Sequence, residues 1–507
     1  MTSTTSSLSA GASLATAATA MSGLIRSQCQ DSSDRARPLV LFSITMGWGI
    51  RNFVHSRVFK AVSEFADIAV AASEDLVPYF ESLHRAGQIA FVVELPSDER
   101  KLPRLIRQAR KAILQGAFGV STARIQWKEN GHDILGRACR SALWNTLRAL
   151  SSPWQLTALE QLEERIDTQR DDLLKKRPNV LVNCSPFDFR DRQLQRLLYR
   201  QGVPTISIIP SWDNPSSKGC ISTGVDTVLV WGDTQKRELE KYYPTIDPAC
   251  IRVAGIPQFD LYTQDLPPEL DRRSFFERFS IPANSRLILY ATCSERLFTR
   301  EPEVVAHIAD ATEQNRFGEQ AHVLIRCHPA DRAERYRHLC DNDRVTIFPS
   351  SVQHSQTLQS WTPPNLETAV LAATLRHSEV CINTASTMTL DAFACGKPVV
   401  NIAYDGDATL PYLQSTNRYY DYHHYRPIAD SGAVMLAHSR EQLLTSIEES
   451  LRCPERTEQD RRSLLNEFCH RPPKGSVDFI VGEIERLLST PVASVRRSEQ
   501  LGRTVGK

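Results

Sequence analysis

Residues 379–402 read Glu379-Val380-Cys381-Ile382-Asn383-Thr384-Ala385-Ser386-Thr387-Met388-Thr389-Leu390-Asp391-Ala392-Phe393-Ala394-Cys395-Gly396-Lys397-Pro398-Val399-Val400-Asn401-Ile402. An apolar run ending at Ile382 gives way to small hydroxyl residues. Met388 to Ala394 then has helical character, and Gly396-Lys397-Pro398 stops it, because Gly accepts the left-handed turn that closes a helix. A second apolar run follows, from Pro398 to Ile402. Strand, turn, helix, strand is the repeating unit of a parallel sheet with right-handed crossovers.

The same alternation extends outward in both directions. Before it lie the apolar runs Arg286–Ala291, His322–Arg326 and Val345–Phe348, and after it a helix over Arg440–Leu451. Prolines at 267, 268 and 282 interrupt the pattern between Thr263 and Asn284. Upstream, the runs 38–44, 67–72, 89–93, 179–183, 205–209 and 227–231 read as strands. Most are continuously apolar, as in strands buried on both faces. Helices are expected over 52–65 and 76–86, and several more between Arg104 and Lys176. The expected fold is α/β: two doubly wound Rossmann-like domains facing across a cleft, over 37–263 and 285–488, joined by a linker at 264–284. Residues 1–36, rich in Ser, Thr and Ala, read as a disordered leader, since 1–25 lack both the large apolar side chains of a membrane span and the basic start of a signal peptide. Residues 489–507 read as a disordered basic tail.

Composition narrows the function. Of 507 residues, 41% are hydrophobic and 23% charged, and 60 Lys and Arg against 59 Asp and Glu leave a formal charge of +1. No global basic field draws nucleic acid, although a local phosphate pocket stays open. The 12 cysteines include no CxxC and no zinc spacing, and read as reduced thiols of a cytoplasmic protein. No GxSxG elbow, HExxH helix, P-loop or Asp-rich magnesium cluster occurs.

In facing parallel sheets, the loops at the carboxyl ends of the strands build the site. Around residue 386, backbone N–H groups of the helix start, with the hydroxyls of Ser386, Thr387 and Thr389, suit a phosphate. Asp391, a turn further on, suits sugar hydroxyls. The same residues also make an ordinary helix cap. His328 stands where a strand gives way to its helix, and reads as a donor to a leaving phosphate or as a structural His before a Pro turn. Ser294 and Arg296 follow the strand 286–291, with Arg300 the neighbouring alternative. On the other side, Gly47, Arg51 and Asn52 lie in a Gly-containing turn after the first strand. Asn52 stands where a GxGxxG would need its third Gly, which argues against dinucleotide binding. His55 is a base or a surface His. The loop 210–219 offers Trp212 for stacking, Asp213 as a general base or an Asx cap, and Lys218 for phosphate. Asp188 and Asp191 most simply start a helix.

Several of these stretches resemble known enzymes. Asp391 followed by Gly396-Lys397-Pro398 resembles the donor-nucleotide motif of GT-B-fold transferases, with Asp in place of the more frequent Glu. The segment from Val230-Trp231-Gly232-Asp233 to Asp260 resembles the last unit of their N-terminal domain, and Arg326-Cys327-His328-Pro329 resembles the His-Pro of CDP-glycerol glycerophosphotransferases. The likeness spans roughly 180–405. It implies an N-terminal acceptor domain, a C-terminal nucleotide-donor domain, and donor contacts from Ser294, Arg296, Arg326, His328, Thr384, Ser386, Thr387 and Asp391. It also implies metal-independent transfer of a sugar or glycerophosphoryl-type group from a UDP- or CDP-linked donor to a hydroxyl acceptor in cell-envelope or surface-polysaccharide biosynthesis. The nucleotide diphosphate is then a co-substrate and no further cofactor is expected. A lipid-linked acceptor would bring the protein to the inner face of the membrane. The alternatives are a UDP-sugar 2-epimerase and a non-catalytic nucleotide-binding protein.

Overall fold

The computed structural model describes residues 37–129, 152–166, 176–222, 224–349 and 361–490, with a few isolated positions between 138 and 174. The expected leader, and the tail beyond Thr490, lie outside the described residues. So does part of the helical region after Arg104, which contains the helices Lys101–Ala117, Ser121–Glu129 and Pro153–Ile166.

Two parallel sheets form the frame. The first contains β1 (Leu39–Ile44), β2 (Asp67–Ser73), β3 (Phe91–Leu95), β4 (Val180–Asn183), β5 (Thr205–Ile208), β6 (Thr227–Val230) and β7 (Ile251–Val253), in the order β3-β2-β1-β4-β5-β6-β7. The second contains β8 (Arg286–Ala291), β9 (Ala321–Arg326), β10 (Val345–Phe348), β11 (Ser378–Asn383), β12 (Val399–Ile402) and β13 (Met435–Ala437), in the order β10-β9-β8-β11-β12-β13. In each sheet the first strand is central, so the order reverses there and opens a crevice at its carboxyl end. Leu41 of β1 pairs with Ala69 and Leu181, and Tyr290 of β8 with Ile325 and Ile382. Alternate residues of β1 enter different cores: Val40, Phe42 and Ile44 on one face, Leu39 and Leu41 on the other. That two-faced burial is why the runs are unbroken.

The structure departs from the expected elements at several points. The helix expected over 52–65 is interrupted: a widened turn, Ile50–Val54, precedes a helix at Val58–Ser63. The Ser56 hydroxyl donates to the Asn52 carbonyl at 2.7 Å and accepts from the Val58 N–H at 3.2 Å, diverting backbone groups from the helical ladder. The strand expected at 89–93 runs two residues later. The linker at 264–284 is folded into the second half: Asp271 caps the helix Arg272–Arg278, accepting from the Ser274 N–H at 2.8 Å, and Leu270, Phe275 and Phe276 are buried beside Leu287 and Leu289. The last helix, Ser476–Ser489, returns to the first sheet, where Val477, Ile480, Ile484 and Leu487 pack with Phe42 and Phe53. Asp260 anchors its start, accepting from the Ser476 and Val477 N–H groups at 2.9 Å each. The described cysteines are free, with Cys184, Cys327 and Cys381 buried. No helix among the described residues is long and apolar enough to cross a membrane.

Candidate functional site

Strands β9, β8 and β11 are neighbours, so the turns after Ala291, Arg326 and Asn383 leave the same edge of the second sheet. The three donor segments expected there therefore share one edge, and one network braces two of them. Glu301 is fully buried and accepts from the Cys293 N–H through both oxygens, at 3.0 and 3.1 Å, and from the Tyr290 and Tyr336 hydroxyls at 3.2 and 3.1 Å. Burial, with the Asp331 charge adding to it, pushes its carboxyl up to about 8. Across the network, Arg335 pairs with Asp331 at 2.6 Å.

His328 is fixed by its own backbone environment. Its N–H donates to Thr292 Oγ1 at 2.9 Å, and its ring Nδ1 accepts from the Ala330 N–H at 2.9 Å. An Nδ1 used as an acceptor puts the ring proton on Nε2. Burial lowers the imidazole to about 4, against the charge of Asp331. His328 is thus a neutral, oriented N–H donor. Ser294 starts a turn, its carbonyl accepting from the Leu297 and Phe298 N–H groups, and Arg296 is exposed on it. Arg300 is committed elsewhere, to Glu303 at 2.7 Å and the Asp405 carbonyl at 3.2 Å.

At the β11 turn, Ala385 takes a φ of 37°, and the Ser386 hydroxyl donates to Asn383 Oδ1 at 3.2 Å while accepting from the Met388 N–H at 3.2 Å. Thr387 accepts from the indole N–H of Trp212 at 3.1 Å, which ties this turn to the loop after β5. Thr384 Oγ1 is buried without a protein partner.

Asp391 does not open toward a ribose in this structure. Its Oδ1 accepts from Gln258 Nε2 at 3.0 Å and Tyr262 Oη at 2.8 Å, and the Gln258 N–H donates to Asn52 Oδ1 at 3.2 Å. Asn52 and Asp391 are two ends of one clasp between the halves. Burial raises Asp391 to about 7, opposed by the Tyr262 hydrogen bond and the Arg51 charge.

Other residues of the first half also differ from expectation. Trp212 is 5% exposed and packed edge-on against His424 and Phe468, so it offers no open stacking face. Burial would raise the Asp213 carboxyl, but the His424 charge and the Ser211 and Ser217 hydroxyls leave it below its ordinary value, which makes it a weak base. Lys218 is exposed and within electrostatic reach of both Lys111 and Asp213. A Cβ on Gly47 would lie 1.7 Å from the Trp361 carbonyl, so the space an anion would need is filled by backbone. Asp188 caps its helix, accepting from the Arg190 N–H at 3.0 Å, but Asp191 is fully buried and accepts from the Ser43 and Thr45 hydroxyls. Burial, with Asp188 adding, pushes Asp191 up to about 8.

The sequence did not single out Glu367. Arg326 of the second sheet pairs with it at 2.8 Å, and Arg51 of the first approaches its other oxygen at 4.0 Å. His55 senses the same carboxylate: burial lowers its imidazole, the Glu367 charge partly restores it, and its Nε2 lies 3.2 Å from the Tyr79 hydroxyl. Arg51 Nε, Arg326 Nη1, the Trp361 indole N–H and, on the acceptor side, Glu367 Oε2 are buried without protein hydrogen-bond partners. Buried polar groups left unpaired are uncommon in folded proteins, and a cluster of them drawn from both halves calls for a partner. Among the described residues, no group of three or more His, Cys, Asp or Glu side chains is arranged to hold a metal ion.

Two parallel sheets with their site loops opposed are the arrangement of the GT-B fold. The fold is GT-B-like. No family model matches the chain, and no curated protein matches it in sequence. Among solved structures it is similar to a Listeria monocytogenes protein assigned as a UDP-N-acetylglucosamine 2-epimerase, with a TM-score of 0.51 and 12% identity over 90% of this chain and 98% of that one. It is also similar to a Rickettsia africae glycosyltransferase (TM-score 0.45, 10% identity, 90% and 100% covered) and to UGT89C1 of Arabidopsis thaliana complexed with UDP-L-rhamnose (TM-score 0.47, 11% identity, 90% and 100% covered). At these identities the likeness is one of fold.

Proposed function

We propose that this protein transfers a sugar, or a glycerophosphoryl-type group, from a UDP- or CDP-linked donor to a hydroxyl acceptor. The observation that carries this reading is the Arg51–Glu367–Arg326 trio, assembled from both halves, with unpartnered buried N–H groups on both arginines. A diphosphate would supply the missing acceptor oxygens and balance the second guanidinium. Ser386, Thr387 and the unpartnered Thr384 hydroxyl extend the polar surface along the same edge.

The chemistry would divide among these residues. As the bond to the diphosphate breaks, charge grows on the departing oxygen, and the His328 Nε2–H donates to it from a fixed position. His55 takes the proton of the acceptor hydroxyl: burial keeps it neutral beforehand, and Glu367 favours the imidazolium once formed. Asp213, held ionised, is the weaker base. The resemblance of Arg326-Cys327-His328-Pro329 to the glycerophosphotransferases supports a surface-polysaccharide or envelope acceptor, lipid-linked or free.

The test is a thermal-shift panel of UDP, CDP, GDP and their sugars on the full chain and on Arg51→Ala and Arg326→Ala. A bound nucleotide at 100 times its Kd stabilises by about 2.7 kcal/mol, and either substitution should remove most of the shift. Absence of a shift with every nucleoside diphosphate refutes the reading. A UDP-sugar 2-epimerase would use the same diphosphate contacts; turnover of a UDP-sugar with no acceptor present would assign the chain to that activity.

A further inference from the structure

A cavity of about 230 Å3 with Trp212 in its lining opens between the helix Asp233–Tyr242 of the first half and residues 423–427 of the second. Trp212, Tyr242 and Phe468 close its floor and are themselves almost wholly buried. Glu238, Thr234 and His423 supply its polar wall, and the exposed Arg237 and Lys241 stand at its mouth. None of the residues assigned above to the diphosphate lines it.

The wall is unusual in charge as well as shape. Glu238 is 9% exposed, and the nearest base, His423 Nε2, is 3.6 Å from its Oε1, while that same nitrogen lies 2.7 Å from the Tyr242 hydroxyl. Burial, with the Asp213 charge added, pushes the Glu238 carboxyl up to about 8, and burial also lowers His423. At neutral pH the wall therefore presents an uncharged carboxyl and an uncharged imidazole, the latter paired with the Tyr242 hydroxyl, and beside them the Thr234 hydroxyl, which donates to Glu467 Oε1 and accepts from Arg237, each at 3.1 Å, and keeps one lone pair to accept with. A bare cation would meet Arg237 and Lys241 at the entrance. A compact anion would meet the Glu467 carboxylate that pairs with Arg237 there. Hydroxyl groups match the wall best, since each can donate and accept at once. The volume, below the roughly 300 Å3 at which pockets for drug-sized ligands begin, has room inside for one small ring.

We propose that this cavity is a second binding site, distinct from the diphosphate contacts, for a single hydroxyl-rich sugar ring. Its hydroxyls bond Glu238, Thr234 and His423. The ligand bridges the two halves, because Glu238 and Thr234 come from one and His423 from the other. The site does not depend on the cleft accepting a nucleotide.

Saturation-transfer NMR on the full chain tests this, with D-glucose, N-acetyl-D-glucosamine and D-glucuronate as probes. At least one should receive transfer, and Glu238→Leu should weaken its binding by about tenfold or more. Thr234→Val, at a half-buried position, provides the same reading should Glu238→Leu fail to fold. Absence of transfer to all three sugars overturns the proposal. So does binding that survives Glu238→Leu and Thr234→Val but is lost in Arg51→Ala, which would place the sugar in the cleft.

Discussion

The indole N–H of Trp212 donates to the Thr387 hydroxyl at 3.1 Å, joining the loop after β5 to the turn after β11. This is a direct hydrogen bond between the edges of the two sheets, and Trp212 adds edge-on contacts with His424 and Phe468 from the second half. A double-mutant cycle isolates it. Trp212→Phe and Thr387→Ala should each destabilise the chain, and their coupling in urea unfolding should be about 0.5–1.5 kcal/mol, the net value of one such bond. A coupling indistinguishable from zero would show that the halves dock without it.

Asp391 makes the clasp sensitive to pH. Its folded carboxyl lies near 7, above the ordinary 3.8, with burial the main cause. The folded state therefore holds a proton that the unfolded state releases, and stability falls as pH rises between about 4 and 7. Asn at this position still accepts from Gln258 and Tyr262 but cannot ionise. Asp391→Asn should flatten the decline of stability over that window, and denaturant midpoints measured at several pH values will show it. Parallel curves for the two proteins would mean that Asp391 does not titrate there.

Glu163 presents the opposite case. It binds Arg110 at 2.7 Å, Arg192 at 3.0 Å and Arg196 at 3.2 Å, all nearly inaccessible to water. Burial alone would raise its carboxyl, yet the three guanidinium charges hold it at about 2. Its contribution is present above the ordinary 4.5 and is lost as pH falls through about 2. Glu163→Gln leaves Arg192 buried without a carboxylate partner and should cost about 3–5 kcal/mol at neutral pH. The gap from the parent should narrow in acid.

Legibility followed the range of the forces involved. Strands β1, β4, β8 and β11 were readable because burial on both faces forces an apolar run, and the helix Met388–Ala394 because its caps are local. Strand β13, three residues at the sheet edge, has too short a run to signal itself. His328 and Thr387 were readable as residues that follow strand ends. The partners of Asp391 were not: Gln258 lies 133 residues away, and which carboxylate it meets is decided by how the two halves dock. The same holds for Arg51 and Arg326, whose shared carboxylate, Glu367, looks in the sequence like an ordinary acidic residue starting a helix. Trp212 and Asp213 were readable as a polar loop with an aromatic, but the packing of His424 and Phe468 around the indole is invisible to any local pattern.

His328 makes the sharpest test of the proposed chemistry. Its Nδ1 accepts from the Ala330 N–H, so the ring must be neutral to keep that bond, and burial holds it near 4. A neutral donor does not titrate between about pH 5 and 8, and this residue should contribute no inflection to the kcat profile there. His328→Ala removes one donor to the departing diphosphate and should lower kcat by about 10²–10³-fold, the usual worth of such a group. Nucleotide-induced stabilisation should persist, because Arg51 and Arg326 are untouched. His328→Gln, which retains an N–H on a side chain of similar reach, should recover part of the loss. Equal losses in kcat and in nucleotide binding would instead make His328 a residue that shapes the loop, and the role of leaving-group donor would pass to the arginines.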